Sequence, residues 1–380
     1  MIPGVILDPP PLRPLTRLSP SRYALLRTCA LREIWMADSS PSLLPRSPMT
    51  ILGLVAHRLL RDAGQVSEDG NFDAEKKWKQ LTETMDQELR QSWLESTLYP
   101  LQSTAPMYEV LKKRTCSRAT QIASISKKRR SSTTTYRRSG TGFEVWVESR
   151  DKAVGGLIDT VKRIDNQIVL SDFKTGDVLE QLEGITSLHV NESYAAQLKL
   201  YAALYEQTFR VWPARLQLVP LTGATRDVPF TETECAELLR EASLAFRTLN
   251  ARIVDAPKRH ADFASPSPLS CRFCIFRPAC HAYQSAPKKA SQKWPLDSVG
   301  QLWDMNVLRD GRINLRITTD AREDVIFRAL SPCRHPVLKA LQRGDRVGIF
   351  NGRTSSGKAE FAEGPLTVLY KFAGSFLSER

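Results

Sequence analysis

The sequence predicts a mixed α/β domain with an inserted helical segment, followed by a small β module. Three observations carry that prediction. Between residues 19 and 285 the apolar periodicity runs helix–strand–strand–strand–helix–strand. Two β-rich runs, Gly155–Ile164 and Gln167–Lys174, flank Asp165-Asn166, a dipeptide suited to a two-residue hairpin loop. Residues 300–380 carry short β runs near 313–318, 325–329, 346–352 and 366–372 with only a brief helical interruption. A wholly parallel doubly wound sheet fits less well, because a tight hairpin makes antiparallel neighbours.

Taken in order, residues 1–18 are proline-rich and read as an extended segment. Ser19-Pro20 reads as a helix N-cap followed by proline in the first turn, opening a helix to about Ala37 that carries Cys29. A Pro/Ser loop at 39–48 precedes a helix at 51–62 containing Gly53 and His57. Residues 72–125 show helical spacing and lie within a helical insertion of about 66–140. That insertion ends in a basic, Ser/Thr-rich stretch with Lys127, Lys128, Arg129, Arg130, Arg137 and Arg138. The stretch is either a phosphate contact or a solvated loop. A strand at 143–148 and the hairpin follow, then a helix at 193–209 and a strand at 215–221. Thr231 and Glu234 make a capping box for a long helix to about Val254. A cysteine cluster occupies 271–280, a linker 286–299, and the β module 300–380.

The chain has 54 Lys plus Arg against 41 Asp plus Glu, a formal charge of +13. That excess favours a polyanionic partner, nucleic acid first and anionic lipid second. The N-terminus lacks the basic-then-apolar pattern of an export signal, and no apolar run is long enough to span a membrane. The expected location is the cytoplasm, where cysteines ligate metals more often than they form disulfides.

The chemistry concentrates on the hairpin. A two-residue loop pairs Ile164 with Gln167, and the same register carries Asp159 opposite Asp172. Facing Cβ atoms in such a pair lie roughly 4.5–5.5 Å apart, and like charges there destabilise the sheet. Lys174 shares the face of Asp172, because strand side chains alternate. A divalent cation, Mg2+ or Mn2+, would relieve the repulsion, with the backbone carbonyl of Phe173 as a further oxygen ligand. His57 is a candidate ligand, although a lone helical histidine is as ordinary in a core or on a surface. Glu144 and Glu148, four apart on the preceding strand, are either further ligands or exposed strand residues. Gln197 and Tyr201 lie on one helical face and either position a phosphodiester or belong to a core stripe with Tyr194, Leu198 and Tyr205. Cys271-x2-Cys274-x5-Cys280 is a metal-ligand pattern, and Cys29 is a natural fourth thiolate. Spacing alone does not separate an iron–sulfur cluster from zinc. Cys116, Cys235 and Cys333 are expected to be packing residues.

Taken together, Gly53-Leu54-Val55-Ala56-His57, Gly156-Leu157-Ile158-Asp159, Asp172-Phe173-Lys174-Thr175-Gly176 and Gln197-x3-Tyr201 resemble the motifs of the PD-(D/E)XK nuclease superfamily. The similarity is to the RecB-like branch, which includes the AddB nuclease subunit and CRISPR-associated spacer-acquisition nucleases, and it covers about residues 19–285. The resemblance implies a mixed-sheet nuclease core with metal ligands His57, Asp159 and Asp172 and a catalytic Lys174. It also implies a structural 4Fe–4S cluster on Cys29, Cys271, Cys274 and Cys280. The expected activity is Mg2+- or Mn2+-dependent cleavage of DNA, single-stranded or at ends, in repair, recombination or phage defence. A non-catalytic DNA-end-binding subunit and an RNA-processing nuclease are the rival expectations.

Residues 300–380 fall outside the resemblance. Their strands, with a short helix at 336–341, suit either an OB-like barrel or a protein-docking module. Gly352-x4-Gly357-Lys358 imitates a phosphate-binding loop, but Ala359 replaces the Ser/Thr and no helix follows. The chain is therefore expected to lack an ATPase, and a separate helicase or ATPase partner would supply unwound strands.

Overall fold

The computed structural model describes residues 4–6, 8–66, 71–130, 140–176, 178–181, 188–221, 224–255, 259–288, 292–355 and 359–372. The chain opens with strand β1 (Val5–Ile6), followed after a 3-10 turn by helices α1 (Tyr23–Thr28) and α2 (Ala30–Ala37). The single helix expected over 19–37 is broken at Cys29, whose backbone is extended at φ −161° and ψ 101°. Ser19 precedes a 3-10 turn and makes no side-chain cap bond. Helix α3 (Pro48–Gly64) is capped by Ser47, whose hydroxyl accepts from the Thr50 N–H.

The insertion consists of α4 (Ala74–Gln91), the short α5 (Leu101–Thr104) and α6 (Tyr108–Arg130). Lys127, Lys128, Arg129 and Arg130 are the last residues of α6 rather than part of a loop, whereas Arg137 and Arg138 lie outside the described residues. Helices α3, α4 and α6 share a core around Val55, Leu59, Trp78 and Met85, which Phe173 and Val219 of the sheet complete.

Strands β2 (Gly142–Glu148), β3 (Gly155–Ile164) and β4 (Gln167–Lys174) follow. A small ribbon, β5 (Leu179–Gln181) and β6 (Leu188–Val190), leads into α7 (Glu192–Phe209), then β7 (Arg215–Pro220), β8 (Arg226–Asp227) and α8 (Glu232–Val254). The central sheet has the order β2-β3-β4-β7-β8, with β4 and β7 parallel and the remaining pairs antiparallel. It is a mixed sheet, as the hairpin required. Asp165 and Asn166 both adopt positive φ, 48° and 62°, and Ile164 pairs with Gln167. That is a primed two-residue turn, whose twist matches its strands.

Helices α9 (Pro268–Arg272) and α10 (His281–Ser285) bracket the cysteine loop. The C-terminal module contains β9 (Ser298–Val307), β10 (Ile313–Thr319), β11 (Asp324–Leu330), β12 (Arg346–Phe350), β13 (Arg353–Thr354), β14 (Glu360–Ala362) and β15 (Val368–Phe372). Its sheet order is β1-β15-β12-β9-β10-β11-β14-β13, so the N-terminal residues add a parallel strand to the C-terminal sheet. The glycine-rich motif begins in the antiparallel β13–β14 pair, and residues 356–358 lie outside the described residues. The module joins the rest through buried groups: Tyr370 donates to the Leu43 carbonyl at 2.7 Å, and the carboxylate of Asp297, in the stretch read as a linker, is buried against Arg277. Among the described residues, no helix is long and apolar enough to cross a membrane.

Candidate metal-dependent active site

Antiparallel pairing of β3 and β4 runs from Ile164–Gln167 to Thr160–Ser171. Regular pairing ends there, and the next residue of each strand is an acid, Asp159 on β3 and Asp172 on β4. There Asp159 Oδ2 accepts the Phe173 N–H at 2.7 Å, so the carboxylate takes the place of a backbone acceptor in the fork between the strands. The same residue is crowded by charge: burial and the neighbouring Asp172 carboxylate push the Asp159 pKa up to about 7. Glu144 adds a weaker push from β2, and its backbone holds a left-handed φ of 50° beside Asp159. A non-glycine residue held there is strained, and its neighbours must fix it.

Asp172 is 4 % exposed. Its Oδ1 accepts the Gln197 amide at 2.8 Å, and its Oδ2 lies 2.6 Å from Lys174 Nζ. That Oδ2 receives no hydrogen bond of good geometry. Lys174 Nζ also donates to Gln197 Oε1 at 2.9 Å and stands 4.4 Å from the Tyr194 ring centre. Asp172, Gln197 and Lys174 thus close a ring of contacts that fixes the ammonium beside the acid. Asn191 caps α7 by accepting from the Ser193 and Tyr194 N–H groups, and the helix presents Tyr194, Gln197 and Tyr201 to β4 at i, i+3 and i+7. Tyr201 is buried, which raises its phenol pKa, as do the Asp172 and Asp159 charges. A Cβ on Gly156 would stand 3.1 Å from the Tyr201 hydroxyl, so glycine there permits the close approach.

His57 arrives from α3. Burial lowers its pKa, Asp172 raises it and Lys174 lowers it, which puts the imidazole within electrostatic reach of both. Helix α3 lies against the end of β4, where a Cβ on Gly53 would meet Thr175 Oγ1 at 3.0 Å. Glu148 does not join the site: it pairs with Arg17 at 3.1 Å, and the positive φ of Glu144 breaks the alternation that would align the two. Tyr194 was named only within the core-stripe alternative; its position three before Gln197 was the available signal for its place over Lys174.

The four cysteines form a second constellation. Cys271, Cys274 and Cys280 are each at most 9 % exposed, and Cys29 is half-buried at the α1–α2 break. Burial raises the three local thiols, Cys274 to about 11, and each also feels the charge of Cys29. Arg277, buried, donates to the carbonyls of Cys271 at 3.1 Å and Cys274 at 3.0 Å. It also binds Asp297 at 2.6 Å and Asn351 at 2.6 Å, tying this loop to the C-terminal module. Arg32 of α2 donates to the carbonyls of Ser270 and Phe273, tying it to the N-terminus. Cys116 and Cys235 are buried packing residues, but Cys333 is exposed, contrary to expectation. Among the described residues, no three of His, Cys, Asp and Glu form a group that could hold a metal ion as the side chains stand.

The hairpin of a mixed sheet thus carries the half-buried Asp159 and the buried Asp172, with Lys174 on the same strand as Asp172, and these three form the candidate active site. The match to the PD-(D/E)XK nuclease superfamily spans residues 17–281, and the chain belongs to that superfamily. Its members are generally metal-dependent nucleases that use divalent ions such as Mg2+. No curated protein matches the chain.

Proposed function

We propose that this protein is a Mg2+- or Mn2+-dependent deoxyribonuclease acting on single strands or DNA ends. The observation that carries the reading is the forked acidic pair. Asp159 is driven toward the neutral form by burial and by Asp172, while the buried Asp172 Oδ2 is met by the Lys174 ammonium at 2.6 Å but by no hydrogen bond of good geometry. Both features suit a divalent cation, which removes the repulsion and accepts that oxygen. Asp159, Asp172 and the Phe173 carbonyl would hold it, with His57 joining by side-chain rotation. The cation supplies Lewis-acid activation of the phosphodiester and of the attacking water.

The chain's own residues supply the rest. Lys174, anchored by Gln197 and Asp172, presents its ammonium to the charge that develops on the phosphoryl oxygens. Gln197 keeps lysine and acid in register, so the ammonium does not swing toward solvent. Tyr201 backs this array from α7, its hydroxyl beside Gln197.

We further infer that Cys29, Cys271, Cys274 and Cys280 carry a structural 4Fe–4S cluster, of the kind found in RecB-like and AddB-like nucleases. The donor set fits in number and kind, and the extended backbone of Cys29 turns it out of the helix between α1 and α2. The C-terminal module reads as OB-like, a reading supported by three successive antiparallel strands, a 3-10 turn before β12, and parallel pairing of β11 with β14. A separate ATPase supplying unwound strands belongs to the same reading, and a pull-down recovering none would count against it.

The test is cleavage by anaerobically purified protein of matched DNA and RNA strands with Mn2+, compared with Asp172→Asn and Lys174→Met. Loss of about 10²–10³-fold or more in each variant is expected. DNA binding without cleavage in the unmutated chain would replace the enzyme with a scaffold, and preferential RNA cleavage would replace the substrate. An absorption band near roughly 400 nm marks the cluster; a colourless protein containing zinc would overturn it.

A further inference from the structure

One polar cleft beside the catalytic strand plays no part in the chemistry above. Its volume is about 660 Å³, and it lies between α6 and the carboxyl end of β7. Lys113, Arg114, Arg118 and Gln121 of α6 form one wall; Pro220 and Leu221 stand on the other. Those two residues adjoin the catalytic strand: Pro220 is the register partner of Lys174, and the Leu221 N–H donates to the Lys174 carbonyl at 2.9 Å. One strand spacing, about 4.8 Å, thus separates the wall of the cleft from the backbone carrying the catalytic lysine.

Arg114 and Arg118 of this cleft have no ion-pair partner among the described residues. Among the described residues, neither Lys113 nor Arg114 has a carboxylate at ion-pairing distance, and Arg118 contacts the neutral amide of Gln121 at 3.5 Å. By contrast, Lys112, the residue before Lys113 on α6, is paired with Glu75 at 3.0 Å. Lys113 also borders Asp73 and Glu75 on its other side, so Arg114 and Arg118 carry the argument. Two guanidiniums on one helical face at i, i+4, opening on a polar cleft, match successive phosphates of a nucleic-acid strand.

We propose that the α6–β7 cleft holds the backbone phosphates of the substrate strand beyond the scissile bond, with Arg114 and Arg118 as its binding residues. The inference rests on the nuclease reading and adds a binding track to it. It is tested by fluorescence anisotropy with a labelled single-stranded oligonucleotide in EDTA, where cleavage does not interfere, across a salt series. Arg114→Gln/Arg118→Gln should bind at least tenfold more weakly at low salt. Its log affinity against log salt should flatten by about 1.4, at about 0.7 per lost phosphate contact. Hydrolysis of a small activated phosphodiester, too short to enter the cleft, should be unchanged, as should the melting temperature. Arg240→Gln/Arg309→Gln, which removes the same two charges away from the cleft, is the control for net charge. An unchanged salt slope in Arg114→Gln/Arg118→Gln, or an equal loss in the control, would overturn the proposal. Failure of the unmutated chain to cleave any strand would sink the nuclease reading instead, and the binding data would still decide the cleft.

Discussion

Glu33 offers a sharp test of how the fold tolerates buried charge near its cysteine platform. It lies on α2, one helical turn after Cys29, and is 0 % exposed. Neither carboxylate oxygen has a hydrogen-bond partner, although Arg22 Nε stands 3.2 Å away. Burial outweighs Arg22 and Arg32 and raises its pKa from 4.5 to about 7. The folded state therefore binds this proton more tightly than the unfolded chain. Stability from the neutral acid is fully present below about 4.5, falls as pH rises, and is gone above about 7. The gap corresponds to about 3 kcal/mol. Glu33→Gln keeps the shape and removes the charge. It should stabilise the protein by up to about 3 kcal/mol at pH near 8, and by almost nothing near 4. Urea unfolding followed by tryptophan fluorescence measures this directly, since buried Trp35 lies on the same helix. Equal or lower stability of the variant at the higher pH would show that the Arg22 pair is net stabilising, and the reasoning would fail.

Three further outcomes are expected. Mn2+ at about a hundred times its dissociation constant should stabilise the unmutated chain by about 2.7 kcal/mol; thermal melts of Asp159→Asn and Asp172→Asn should lose that response. Arg277→Met strands the fully buried Asp297 carboxylate. It should cost about 3–5 kcal/mol and release the cysteine loop, read as faster hydrogen exchange at 271–280 and in the C-terminal module. In Gly64→Ala, the new methyl would stand 2.4 Å from the Phe143 ring. Shifting that ring should cost about 1–3 kcal/mol by chemical denaturation, with weaker activity because Phe143 adjoins Glu144 on β2.

The reach of the sequence differed from element to element. The hairpin register was legible from Ile164–Gln167 to Thr160–Ser171, because Asp165-Asn166 tolerates positive φ and the two-residue turn sets the pairs that follow. The face shared by Gln197 and Tyr201 was legible from helical spacing. Strand β9 was not: pairs shift between Asp304–Arg316 and Leu302–Ile317, leaving Trp303 outside the β9–β10 register and blurring the alternation. The break at Cys29 was missed because apolar spacing through 23–37 suits one continuous helix.

By itself, then, the sequence determined the main helices and strands of the core, the two-residue hairpin turn and its Ile164–Gln167 register, and the placement of Asp172 and Lys174 on one strand. Each follows from local rules of turn chemistry, periodicity and spacing. Tertiary structure alone decided that Asp159 accepts the Phe173 N–H, that Tyr194 covers Lys174, and that Arg277 joins the cysteine loop to Asp297 and Asn351. Those contacts join groups distant along the chain or depend on where strands part, and such choices are set by packing the whole domain rather than by any local preference.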